Sequence, residues 1–126
     1  MRKEVNIAES EWKVMEVLWK NPKMAIGQIR EVLSDTGWSD STIKTLVRRL
    51  HKKGAVGIDD TQGQYLYFAA VKENECKMKE VYRLVDRIYQ GSVRMLMANL
   101  AEESDLPAEK KEQLLRIIDN MEDEEL

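Results

Sequence analysis

The chain has 126 residues, enough for one ordinary domain or for a small domain with an appendage. With 34% charged residues, 43% hydrophobic residues, two prolines and six glycines, it is neither a disordered nor a fibrous sequence. The formal net charge of −3 hides an asymmetry: residues 1–71 hold 11 basic and 9 acidic side chains, a balance of +2, whereas residues 72–126 hold 9 and 14, a balance of −5.

No apolar run approaches the roughly 18–20 residues that a membrane span needs, and the first nine residues lack the apolar centre of a signal peptide. A single cysteine, Cys76, cannot form an internal disulfide. Together these features point to a cytoplasmic protein.

Trp12, Met15, Val17, Leu18 and Trp19 recur at helical spacing, so a helix is expected from about residue 9 to residue 20. Glu9 and Glu11 suit the positive end of its dipole, and Asn21-Pro22 ends it. A short second helix follows, with Ile26, Ile29, Val32 and Leu33 expected on one face, until Ser34 to Gly37 breaks it. Ser39 then caps a third helix that runs to Lys53, with Gly54 as its stop.

The period changes next. Ala55 to Asp59 reads as a strand, Asp60 to Gly63 as a turn and Tyr65 to Val71 as a second strand rich in aromatic residues. From Lys72 the helical period returns. Val81, Leu84, Val85, Ile88, Val93, Leu96, Met97 and Leu100 form a long apolar stripe that Gly91-Ser92 interrupts. A last helix starts at Leu106-Pro107 and carries Leu114, Leu115, Ile117, Ile118 and Met121 on its apolar face. Asp119 to Leu126 is mostly acidic and reads as a solvated tail.

The order helix, helix, basic helix, hairpin is that of a winged helix-turn-helix. The expected fold is therefore mainly α (α+β): a winged helix with a two-stranded wing over residues 1–71 and a helical region over residues 72–126. That second region has broad apolar faces and no sheet of its own to cover them. It is read as a dimerisation region, with Leu114, Leu115 and Ile118 adding to the stripe from Val81 to Leu100.

Function is carried by the third helix. At about 100° per residue, Ile43, Leu46, Val47 and Leu50 fall on one side and anchor it. The other side shows hydroxyls near its start and cations further along. The candidate DNA-binding set is Ser39, Ser41, Thr42, Lys44, Thr45, Arg48, Arg49, Lys52 and Lys53. Lys44 to Lys53 contains five basic residues and no acid, and local field rather than total charge decides where a polyanion docks. Lys44 and Thr45 are placed to read base edges, and Arg49 and Lys52 to hold phosphates. The wing has Asp59 and Asp60 near its tip and no lysine or arginine between residues 54 and 71, so its contact with DNA is expected to be weak or backbone-mediated.

The plain alternative for this helix is a basic, solvated amphipathic face. A protein-interaction module using the stripe from Val81 to Leu100 is a second alternative, and it leaves the basic helix unexplained. An enzyme is disfavoured. His51 has no partner at metal-ligand spacing, no glycine-rich loop is built to cradle a phosphate, and Cys76 alone makes no thiolate site. No cofactor, metal or small-molecule ligand is expected.

The sequence resembles the penicillinase and methicillin-resistance repressors, the BlaI/MecI family. The residues that carry the resemblance are Glu11-Trp12, Val14-Met15 and Leu18-Trp19 in the first helix, then Trp38-Ser39, Thr42-Ile43-Lys44-Thr45-Leu46, Arg49-Leu50 and Lys53-Gly54, with Tyr65, Tyr67, Val85, Tyr89 and Gly91 further on. It spans about residues 5–120. It implies a homodimer that represses transcription from a palindromic operator in double-stranded DNA and controls β-lactam resistance genes. It also implies inactivation by proteolysis, triggered by a membrane sensor protease. The family's cut falls between an asparagine and a phenylalanine; the matching position here is Asn99-Leu100, where leucine stands in the second place. A related branch senses copper through paired cysteines near the C-terminus, which this sequence lacks. A repressor of the same fold that answers another signal, metal or other stress, is the remaining alternative.

Overall fold

The computed structural model describes residues 5–121; the end of the acidic tail, residues 122–126, lies outside them. Helix α1 (Glu9–Lys20), α2 (Ile26–Val32), a short 3-10 turn (Ser34–Thr36) and α3 (Asp40–Lys53) precede strands β1 (Val56–Asp59) and β2 (Leu66–Ala69). Helices α4 (Glu73–Tyr89), α5 (Val93–Glu103) and α6 (Ala108–Asn120) complete the chain. The chain divides into two compact units, Met1–Cys76 and Lys77–Leu126.

Local chemistry sets the helix ends. Ala8 has no side chain to cap α1, but the Glu11 carboxylate reaches back and accepts the Ala8 N–H at 2.9 Å, which is half of a capping box. At the other end the Asn21 side-chain amide donates to the Val17 carbonyl at 2.8 Å, satisfying one of the orphan acceptors of the last turn. Ser39 caps α3 as expected, accepting the Thr42 N–H at 3.2 Å. Gly54 ends α3 at φ 87°, in the left-handed region that glycine enters without strain.

The first unit closes on Val14, Met15 and Leu18 of α1, Ile29 and Leu33 around α2, and Ile43, Leu46, Val47 and Leu50 of α3. Trp12, Trp19 and Trp38 pack against this core, and the Trp19 indole donates to the Val71 carbonyl at 2.9 Å. Val32 departs from expectation: it is 52% exposed. At about 100° per residue, Ile26, Ile29 and Leu33 share a roughly 60° arc, and Val32 falls about 60° beyond its edge. A helix of seven residues has room for only the narrower stripe.

The hairpin is antiparallel, with Val56 opposite Ala69, Gly57 opposite Phe68, Ile58 opposite Tyr67 and Asp59 opposite Leu66. β1 ends at Asp59 as the sequence suggests but starts one residue later, at Val56, and β2 is shorter than expected at both ends. Gly57 leaves room for its partner's ring: a Cβ there would lie 2.3 Å from the end of the Phe68 side chain, which would have to move. Met24, just before α2, adds a bridge on the far side of β2: its N–H donates to the Tyr67 carbonyl at 2.9 Å and its carbonyl accepts the Tyr67 N–H at 2.7 Å. The wing is thus rooted in the helical layer. A single bridging residue leaves no period in the sequence.

In the second unit α5 and α6 pack on each other. This corrects in part the expectation that the helical region lacks cover within the chain. Val85 is wholly buried and leaves no surface for a partner, while Val93, Leu96, Met97, Leu114 and Ile118 are half-buried. Val81, Leu84, Ile88, Leu100 and Leu115 remain exposed. Gln90 and Gly91, at φ 49° and 87°, end α4, and Ser92 caps α5 by accepting the Met95 N–H at 3.1 Å. The chain break foreseen at Gly91-Ser92 is therefore a stop and a fresh start. Pro107 precedes α6, with φ already fixed near its helical value.

Candidate nucleic-acid interface

Helix α3 buries Ile43, Leu46, Val47 and Leu50 and turns its other side to solvent. Ser39, Ser41, Thr42, Lys44, Arg48, Arg49 and Lys52 are all exposed, and Thr45 is half-buried. The cations fall on two flanks. Lys44, Arg48 and His51 face Ile58, Tyr65 and Tyr67 of the hairpin across a cleft of about 310 Å³. On the opposite flank Arg49 joins Ser41, Thr42 and Thr45 in an open cleft of about 350 Å³ that also takes in Ser10 of α1. The helix is a ridge between these two depressions.

Hydrogen bonding decides what the hydroxyls can offer. The Thr45 hydroxyl donates to the Ser41 carbonyl of its own helix at 2.8 Å. Its lone pairs and methyl group are what remain for a ligand. Ser39 Oγ is engaged with the Thr42 N–H, with Ser41 Oγ at 3.0 Å and with Thr42 Oγ1 at 2.9 Å. Ser39 therefore organises the front of the helix. The His51 Nδ1 lies 2.9 Å from the Val56 carbonyl, which can only accept, so Nδ1 carries the hydrogen and the ring ties the end of α3 to β1.

Electrostatics single out the same surface. Among the described residues, Lys44, Arg48, Arg49 and Lys52 form no ion pair. Two acids of this unit are paired with other cations. Arg30 of α2 pairs with Asp40 at 2.5 Å, and Lys23 pairs with Asp59 of the wing. The hydrogen bond from Lys23, seconded by those from Thr61, holds the Asp59 carboxyl well below the usual carboxylate range. Asp59 is therefore a fixed anion whose charge is already matched.

Lys53 leaves the DNA-binding set. Its ammonium donates to Glu11 Oε1 at 2.5 Å and to the Asn6 carbonyl at 2.8 Å, and the Glu11 side chain is only 2% exposed. A buried carboxylate needs a counter-charge, and Lys53 supplies it. The partners are 42 residues apart, so no spacing rule marks the pair in the sequence. The sequence reading also missed Ser10, Lys23 and Arg30. Their roles come from packing between elements rather than from a pattern within one.

Among the described residues no three His, Cys, Asp or Glu side chains are placed to hold a metal ion, and no helix is long and apolar enough to cross a membrane. The model of the penicillinase repressor family matches residues 7–120 of the chain. The chain belongs to the penicillinase repressor family. A methicillin resistance regulatory protein MecI of Mammaliicoccus sciuri is 32% identical over 117 residues, covering 92% of this chain and 95% of that protein. A penicillinase repressor of Staphylococcus aureus is 30% identical over 120 residues, covering 94% and 95%. Among solved structures, the DNA-binding domain of the repressor BlaI matches 60% of this chain and 93% of its own at 33% identity, with a TM-score of 0.52. The monomeric form of Bacillus licheniformis BlaI in complex with the blaP half-operator matches with the same identity, coverage and score. This is a family of DNA-binding repressors and resistance regulators rather than of enzymes, and the winged helix of this member is the family's DNA-binding fold.

Proposed function

We propose that this penicillinase repressor family member is a homodimer that binds a palindromic operator and represses β-lactam resistance genes from the cytoplasm. The observation that carries the reading is the row of exposed, unpaired cations on α3, Lys44, Arg48, Arg49 and Lys52, beside hydroxyls at the helix front. Lysines and arginines without protein partners are free to displace the counterions of a duplex. The relative BlaI is described as binding a half-operator in its monomeric form. One winged helix then suffices for one half-site, and two joined copies suit two half-sites about one helical turn apart.

The partner surface is assigned to the exposed apolar residues Val81, Leu84, Ile88, Leu100 and Leu115, flanked by the half-buried Val93, Leu96, Met97, Leu114 and Ile118. Joining two half-site binders makes the second binding event intramolecular, at an effective concentration of roughly millimolar order. Release follows from a cut at Asn99-Leu100 by a membrane sensor protease. Both residues are exposed on α5, and the cut would strip Leu100, Leu114, Leu115 and Ile118 from each subunit. Avidity falls although no DNA contact changes.

The test is binding to a duplex of random sequence across a salt series, together with sedimentation of the free protein. The expected result is steeply salt-dependent binding by a dimer. Salt-independent binding, or no binding at low salt, would overturn the DNA assignment, and a monomer at micromolar concentration would overturn the assembly. Exposure of cells to β-lactam should yield a fragment ending near Asn99; an intact chain under induction would remove the cleavage step.

A further inference from the structure

The cleft between α3 and the hairpin has a lining that a phosphodiester chain does not call for. Buried Val47 and half-buried Ile26 and Ile58 make it apolar, Lys44 and Arg48 are its exposed cations, and no carboxylate lines it. The planar side chains of His51, Tyr65 and Tyr67 complete it. We infer that this cleft is a binding site for a small planar aromatic carboxylate, with its rings against Tyr65 and Tyr67 and its anion on Lys44 and Arg48. The site goes beyond the proposed function. Only its effect on duplex binding rests on that reading, because both would use Lys44 and Arg48.

Size, charge and rigidity support it. At about 310 Å³ the cleft lies at the lower end of the ~300–1,000 Å³ range of small-molecule sites, which suits a ligand of one or two fused rings. Neither cation forms an ion pair among the described residues, so a ligand anion displaces only water and counterions. Much of the wall is fixed before a ligand arrives, which lowers the ordering cost of binding. Tyr67 stands opposite Ile58, so their side chains share one face of the hairpin, and its backbone is also bonded to Met24. The His51 ring is tied through Nδ1 to the Val56 carbonyl at 2.9 Å. Tyr65 is 59% exposed, although a ring of that size ordinarily goes to a core or an interface, and a stacked ligand would cover it. A phosphodiester chain uses the cations and leaves the apolar lining idle, whereas an aromatic carboxylate uses both. The lining comes from α2, α3 and both sides of the hairpin, so no motif marks it, and the sequence reading expects no small ligand.

The test titrates 2-naphthoate into the unaltered full chain and follows the proton resonances of the aromatic rings. Saturable shifts are expected at Tyr65, Tyr67 and His51, with a dissociation constant of roughly 0.1–1 mM for so small a ligand, and none at Tyr82 on α4. The neutral 2-naphthamide should bind about tenfold more weakly, and acetate should move none of the rings. Lys44→Ala and Arg48→Ala should each weaken 2-naphthoate about three- to tenfold; both side chains are exposed, so folding is not at stake. At about ten times its dissociation constant, 2-naphthoate should weaken random-duplex binding about tenfold by competition. No saturable shift at Tyr65 and Tyr67 up to about 10 mM probe overturns the inference and leaves the DNA-binding reading standing. Equal affinity for the acid and its amide overturns it as unspecific adsorption of rings. Shifts that acetate reproduces overturn it in favour of a bare anion site, such as a backbone phosphate would use. Probe binding that leaves duplex affinity untouched overturns the shared use of Lys44 and Arg48. A chain that binds 2-naphthoate but no duplex keeps the site and overturns the DNA-binding reading.

Discussion

Lys53, in the last turn of α3, holds the buried Glu11 of α1 at 2.5 Å, and Glu11 in turn accepts the N–H of Ala8. One carboxylate therefore fastens the start of α1 to the end of α3. Its neighbour Lys52 is exposed and unpaired. Adjacent lysines thus differ: Lys53 is engaged within the protein, and Lys52 is left to solvent.

Lys53→Met should lower unfolding stability by about 2 kcal/mol, less than for a fully enclosed pair because the lysine is partly solvated. Lys52→Ala should leave the urea midpoint in place and weaken binding to all duplexes alike, with the salt slope reduced by about 0.9 for one phosphate. Equal urea midpoints for Lys53→Met and the unaltered protein would remove the structural role of that lysine.

Thr45 offers an acceptor and a methyl group, since its hydroxyl hydrogen is spent on Ser41. Thr45→Val keeps the methyl and loses the acceptor. It should erode discrimination between operator variants by about 1–3 kcal/mol without weakening random-duplex binding. A uniform loss across sequences, measured by competition, would mean that Thr45 is not near a base edge.

Gly57→Ala puts a methyl group into the Phe68 ring, 2.3 Å from its nearest carbon. Overpacking of this kind costs about 1–3 kcal/mol. The double variant with Phe68→Leu should recover most of the loss in urea unfolding. Equal instability of the single and double variants would show that the ring is not the obstacle.

Asp59 carries a depressed folded-state pKa, first through its hydrogen bond from Lys23 and then through those from Thr61. A carboxyl of this kind adds stability that is fully present above its unfolded value, near about 3.9, and is lost as pH falls below it. Asp59→Asn should flatten the acid limb of the stability profile below about pH 4. Parallel profiles for the two proteins on the acid side would show that the pair contributes nothing to folding.

Ile88 is 51% exposed on α4, whereas Val85 one turn earlier is wholly buried. Ile88→Glu should give monomers in sedimentation with little change in thermal stability. Val85→Ala should do the reverse, lowering stability by about 1–3 kcal/mol while the assembly persists. Monomers from Val85→Ala at unchanged stability would exchange the two roles.

Much of the fold was legible because each element announces itself locally. Ser39 and Gly54 bound α3 by capping chemistry, and the shift from helical to alternating period marks the hairpin. The basic face was legible for the same reason: its period is that of one helix. The rest depends on which elements meet. Val32 looked like core because the sequence does not show how narrow the buried arc of α2 is. Lys53 looked like a phosphate ligand because its partner lies at the other end of the domain. Part of the apolar region looked uncovered because the packing of α5 on α6 is a tertiary fact; Val81, Leu84, Ile88 and Leu100 do remain exposed. The Met24 bridge and the Lys23–Asp59 pair have no local signature at all.

The Met24–Tyr67 bridge has a mechanical consequence. With β2 paired to β1 on one edge and bonded to Met24 on the other, the root of the hairpin is tied to the segment that leads into α2. Ordering entropy for the wing is then settled at folding and not at association. On the proposed reading, a duplex that docks beside this hairpin would supply more of the adjustment, so operators that bend easily would be favoured even at base pairs that no side chain touches.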